Sequence, residues 1–153
     1  MSGDLTNRSF AQGLSSLRIS NFTEAFYAFR AAYREDPRNP HHLSYYGLTV
    51  SLEDGNVDQG ISLCREAVHL VPFEPEFYLN LSRVYMKAGN RKQALGILTE
   101  GLALNHKSRL LKSELARIDL RRKLFFSFLH RDNFLNKIIG RLTYRSPKTP
   151  SPR

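Results

Sequence analysis

Three segments of this chain, residues 6–39, 40–74 and 75–108, repeat one pattern at a step of 34 or 35 residues. Ala25, Gly60 and Ala94 fall at that step, as do Ser20, Gly55 and Gly89, and then Ala32, Ala67 and Gly101. Gly13, Gly47 and Ser82 form another series; Pro37 and Pro72 start one whose third member is His106. A unit of this length cannot bury its apolar face alone. It stacks on its neighbours into an open array rather than a closed globule with a catalytic cleft. The sequence therefore speaks to the kind of surface on offer, not to the partner that meets it.

Each unit reads as a pair of helices. In residues 75–88, Phe77, Tyr78, Leu81, Val84, Tyr85 and Met86 approach helical spacing, and Gly89-Asn90 breaks the run. Ala94, Leu95, Ile97, Leu98, Leu102 and Leu104 then make a second amphipathic helix. In the first segment the second helix is opened by the Asn21/Thr23 region and stopped near Pro37; in the second it stops at Pro72. Small residues recur where paired helices cross, because axes 8–10 Å apart, roughly, leave little room for side chains. Pro40 and Pro75 suit the first turn of the following helix, where the missing donor does no harm.

These landmarks resemble the tetratricopeptide repeat: a small residue and an aromatic in the first helix, Gly at the turn, Ala-x-x-x-aromatic-x-x-Ala in the second, then Pro. Ala25, Phe29, Ala32, Tyr33 and Pro37 carry the match, with Tyr78, Tyr85, Gly89, Ala94 and Leu98. The departures are Ser9 where a bulky residue is usual, Ser16 where an aromatic is usual, Gly60 for Ala and His106 for Pro. The second segment also carries one extra residue around Leu52–Asp54. The resemblance implies an all-α solenoid of stacked helix-turn-helix pairs that binds another protein, a peptide or an amphipathic helix, in a concave groove lined by first helices. Carried onto this sequence, the groove takes Asn7, Phe10, Leu14 and Arg18 from the first repeat. The second supplies His41, Ser44, Tyr45 and Leu48, and the third Glu76, Leu79, Asn80, Arg83 and Lys87. Family members that clamp a carboxylate terminus use Lys, Asn and Arg on these helices. Phe10, Leu14, Tyr45, Glu76 and Asn80 stand in those places here, and Glu76 repels a carboxylate.

The net charge of +9 is confined to one end. Residues 1–108 hold 11 basic and 11 acidic side chains, whereas residues 109–153 hold 12 basic and 3 acidic. Such asymmetry points to separate duties. Ser108 is placed to cap a seventh helix over 109–123, with Leu111, Leu115, Ile118 and Leu124 on one stripe and Lys112, Glu114, Arg117 and Arg121 elsewhere. That helix is expected to cap the solenoid. Residues 124–145 read as a basic amphipathic segment, which either folds back on the repeats or meets a membrane, a partner helix or nucleic acid. Residues 146–153 read as a disordered tail. Arg121, Arg122, Lys123, Arg131, Lys137, Arg141 and Arg145 are the candidates for an anionic surface, which makes a peripheral membrane binder the alternative reading.

Chemistry is poorly represented. Adjacent histidines on a helix point about 100° apart, so His41 and His42 do not share a metal, and no metal or other cofactor is expected. Cys64 aligns with Phe29 and Leu98 on the packing stripe and reads as core rather than nucleophile. No phosphate-cradling loop or nucleophile elbow is present, so an enzyme is not expected. Nucleic acid and small molecules are disfavoured as ligands, since no nucleic-acid module accompanies the charge. The first twenty residues lack a signal-peptide core and no apolar run could span a bilayer, which makes the cytoplasm the default expectation, with a peripheral membrane location still open.

Overall fold

The computed structural model describes the backbone of residues 2–130 and the side chains of residues 8–119. The described residues are all-α. The helices are α1 (Ser2–Arg18), α2 (Phe22–Glu35), α3 (Pro40–Thr49), α4 (Val57–Leu70), α5 (Pro75–Lys87), α6 (Arg91–Leu104) and α7 (Arg109–His130). A π-helical turn, Val50–Asp54, continues α3. The chain divides into two compact units, Met1–Ala116 and Arg117–Arg153. The first holds the three helix pairs and the opening turns of α7. The helix expected over 109–123 runs on to His130, so residues 124–130 of the expected segment 124–145 continue α7; residues 131–145 and the expected tail 146–153 lie outside the described residues.

Local chemistry places the helix ends. Asn21, Asn56 and Asn90 occupy the same position in the three repeats, and each side-chain oxygen accepts the backbone N–H three residues on at 3.2 Å, opening α2, α4 and α6. Asn39 and Glu74 cap α3 and α5, which begin with Pro40 and Pro75. The turn inside each pair needs a left-handed residue, supplied by Ser20 (φ 59°), Gly55 (φ 70°) and Gly89 (φ 73°). His106 costs no helix stop: Asn105 N–H closes α6 on Gly101 O at 2.9 Å.

The recurrent small residues mark the helix crossings. Ala25, Ala32, Ala67 and Ala94 are fully buried, as are Phe29, Cys64 and Leu98 on the adjoining stripe. A Cβ on Gly101 would lie 2.6 Å from Tyr78 Cγ, so only glycine lets α6 close on α5 there. Leu111, in the first turns of α7, is fully buried, with Cδ1 beside that same glycine.

The extra residue of the second repeat has a visible home. The step from Gly13 to Gly47 is 34 and that from Ser20 to Gly55 is 35, so the insertion falls between Gly47 and Gly55, where the helix widens into the π turn. Hydroxyls take up carbonyls around it. Thr49 Oγ1 donates to Tyr45 O and Tyr46 O at 3.0 and 3.1 Å, and Ser51 Oγ donates to Leu48 O at 2.7 Å. The same turn explains why Gly60 replaces the usual Ala. A Cβ there would stand 2.7 Å from Gly47 O and 3.0 Å from Ser51 Cβ, and Ser51 belongs to the π turn.

Candidate partner-binding face

Consecutive first helices place side chains from different repeats in contact. The Phe10 ring of α1 meets Tyr45 of α3 edge-on at 5.4 Å and lies 6.3 Å from His41. His41 in turn meets Phe77 of α5 at 5.0 Å. The Tyr45 hydroxyl donates to Glu76 Oε2 at 2.9 Å. A line therefore runs Phe10–Tyr45–Glu76 across three repeats, made of residues 35 and 31 apart in sequence. Phe29 stacks beneath Tyr45 at 5.1 Å and fixes its ring. Burial raises the Tyr45 pKa above the ordinary phenolic value; the Glu76 charge and hydrogen bond add to the rise, and Arg83 opposes it. Tyr45 thus stays a neutral donor over the physiological range.

The thirteen residues expected to line a groove separate into two groups. Phe10, Leu14, Tyr45 and Glu76 are half-buried, and Arg18, His41, Arg83 and Lys87 are exposed. Ser44, Leu48, Leu79 and Asn80 are instead buried, which corrects their expected place on the surface. They form a polar and apolar seam between helices: Asn80 Nδ2 donates to Ser44 Oγ at 3.0 Å, while Cys64 Sγ donates to Ser44 O at 3.2 Å. The side chain of Asn7 lies outside the described residues, as do those of Arg121, Arg122, Lys123, Arg131, Lys137, Arg141 and Arg145.

Two further polar residues, Glu114 and His42, are buried. Glu114, expected apart from the apolar stripe, instead shares its face: it stands three residues after Leu111 and four before Ile118, and Arg83 Nε lies 3.7 Å from its Oε1. That spacing is the signal the sequence offers; the pairing with Arg83 comes from another helix. His42 is buried with Nδ1 3.1 Å from Asp36 O, whereas neighbouring His41 is exposed. The two rings part company, as adjacent helical positions require. Among the described residues no cluster of His, Cys, Asp and Glu could hold a metal ion. No described helix is long and apolar enough to cross a membrane.

Beside the first pair, an open hollow of about 570 Å³ is walled by Ser9, Gln12, Thr23, Glu24, Ala28 and Ala31 among others. It lies where Ser9 replaces the bulky residue found at the matching positions of later repeats, Leu43 and Tyr78.

The sequence family described as "Tetratricopeptide repeat" matches residues 51–118. This is a tetratricopeptide-repeat-like chain. Solved structures of that architecture superpose on it. An O-GlcNAc transferase mutant from Thermobaculum terrenum is 22% identical with a TM-score of 0.66, covering 77% of this chain and 22% of the transferase. The chain thus spans about a fifth of that protein's length. The OM64 TPR domain of Arabidopsis is 14% identical with a TM-score of 0.62, over 77% of this chain and 97% of the domain. The first TPR of Spaghetti (RPAP3), solved bound to the HSP90 peptide SRMEEVD, is 16% identical with a TM-score of 0.61, over 78% and 97%. At these identities the likeness concerns the fold. No protein of curated function matches the sequence. Tetratricopeptide-repeat proteins commonly mediate protein–protein interactions and bind peptides, as the Spaghetti domain does.

Proposed function

We propose that this chain is a non-enzymatic adaptor that holds an extended peptide or an amphipathic helix against the first helices α1, α3 and α5. The observation that carries the reading is the continuous Phe10–Tyr45–Glu76 line, flanked by exposed Arg18, His41, Arg83 and Lys87. Aromatic rings offer apolar area at low entropic cost, while Arg18, Arg83, Lys87 and Glu76 set orientation by charge. A partner segment with an apolar face and a cation opposite Glu76 fits this face. The acidic C-terminal peptides of chaperones fit it poorly, since Asn80 is bonded inside the seam and Glu76 faces the incoming carboxylate. Cys64 is consistent with the non-enzymatic reading. Its thiol is fully buried, burial pushes its pKa up, and it donates to a backbone carbonyl, which removes the one soft nucleophile from solvent.

The test is a pull-down from the native source with mass spectrometry, comparing the parent chain with a His41→Glu/Lys87→Glu variant. Both positions are exposed, so circular dichroism should show unchanged helix. The specific partner is expected to disappear from the variant. Equal recovery by both chains defeats the reading.

A further inference from the structure

Large apolar side chains that remain exposed are concentrated on one edge. Among the described residues eight are so exposed, and five of them, Leu70, Val71, Phe73, Leu104 and Leu110, belong to or flank the turns α4–α5 and α6–α7. Short turns reverse the chain each time, so the even-numbered helices run in one sense and these turns share an edge of the first unit. Singly scattered apolar residues would need no explanation, but a cluster does. The matching positions of the first repeat hold Glu35, Asp36 and Arg38, so the apolar character is not demanded by the turn itself. Nor is the turn loose. Val71 N–H bonds to Ala67 O at 3.1 Å, and the Tyr78 hydroxyl donates to Pro72 O at 2.9 Å, holding Phe73 outward at 69% exposure.

Around the α6–α7 turn the charge is of one sign, although exposed Glu100 precedes it and the α2–α3 turn on the same edge carries exposed Glu35 and Asp36. Residues 101–113 contain no acidic side chain, and Lys107, Arg109 and Lys112 are exposed around the start of α7. The positive pole of α7 lies there, so its own dipole disfavours these cations. An external anion relieves both. Glu74, the acid nearest Phe73, is half-buried and accepts Glu76 N–H at 3.4 Å to cap α5. Apolar tips surrounded by cations are the composition that seats a protein in the headgroup region of a charged bilayer. We propose that this edge docks on an anionic phospholipid surface, with Phe73, Leu104 and Leu110 entering the interface and Lys107, Arg109 and Lys112 meeting the headgroups. The proposal concerns a surface separate from the α1–α3–α5 face, and it does not depend on the adaptor reading.

The chain contains no tryptophan, so a Phe73→Trp variant of the full chain carries a single reporter at the edge. Its emission should shift to the blue on phosphatidylcholine vesicles containing phosphatidylserine. It should stay unshifted on phosphatidylcholine alone, and return in high salt. A Tyr27→Trp variant, exposed on the first pair, should not respond. Lys107→Gln and Arg109→Gln should each weaken vesicle partitioning about fivefold, the effect of losing one interfacial cation. Three results overturn the proposal: no co-sedimentation with the charged vesicles, co-sedimentation without a shift at position 73, or an equal shift on uncharged vesicles.

Discussion

The first and third repeats turn the same corner with different residues. At Gly89 and at Ser20 the backbone is left-handed, and the same two bonds close each turn: Gly89 to Met86 and Asn90 to Tyr85 in one, Ser20 to Leu17 and Asn21 to Ser16 in the other. Glycine adopts this conformation freely, whereas serine meets a steric cost. The flanks differ in the same sense. Tyr78 fills the space against Gly101 and anchors its hydroxyl on Pro72 O, while Ser9, in the matching position, leaves an open hollow of about 570 Å³. One architecture is thus held tightly at its third repeat and loosely at its first. The repeat pattern determines the path of the backbone, and individual side chains determine how firmly it is held.

The largest test of this contrast is Leu111→Ala. The side chain is fully buried against the third repeat, so its removal should cost about 2–5 kcal/mol in chemical denaturation. A cost below 1 kcal/mol, roughly, would show that the third repeat is not tightly closed there. Gly101→Ala comes next. Its new Cβ meets the Tyr78 ring at 2.6 Å, and the ring is pinned by its hydroxyl, so a loss of about 1–3 kcal/mol is expected. Gly96→Ala on the same helix meets nothing within 4 Å and should instead stabilise by about 0.5–1 kcal/mol. Thermal melts of the two variants side by side separate packing from propensity; the same sign in both would break the argument.

At the turns, Ser20→Gly should raise stability by about 1 kcal/mol and Gly89→Ser should lower it by a similar amount. Changes of one sign at both positions would mean that the two corners are not equivalent.

The smallest effect lies between these repeats. Phe29 and Leu98 cannot ionise, but Cys64 on the same stripe can, and burial raises its pKa above the ordinary value of 9.0. A thiol with a raised folded-state pKa contributes stability fully below pH 9, roughly, and loses it as pH climbs further, because the unfolded chain ionises first. Tyr45 acts in the same direction from its ordinary value of 10.0. The melting temperature should therefore fall above pH 9, roughly, and less steeply in Cys64→Ala. Parallel profiles for parent and variant would remove Cys64 as a contributor.

Helix pairing, turn positions and the small residues at crossings were all legible in the chain, because each follows from local rules: apolar periodicity, asparagine and proline at helix starts, and glycine at the corners. Even the extra residue of the second repeat could be located from the spacing of Gly47 and Gly55, though not the π turn that absorbs it. Tertiary contact decided what the first helices show to solvent. Helix α3 packs against α2, α4 and α5 at once, so the sector left open is narrower than one amphipathic face. Ser44 and Leu48 are lost from view inside it, with Leu79 and Asn80 on α5, while Tyr45 and His41 remain outside. Glu114 lies beside Leu111 and Ile118 on the helical wheel, so its burial was legible in the spacing; its ion-pair partner Arg83, on another helix, was not, because the wheel describes one helix and contacts between helices are set by packing.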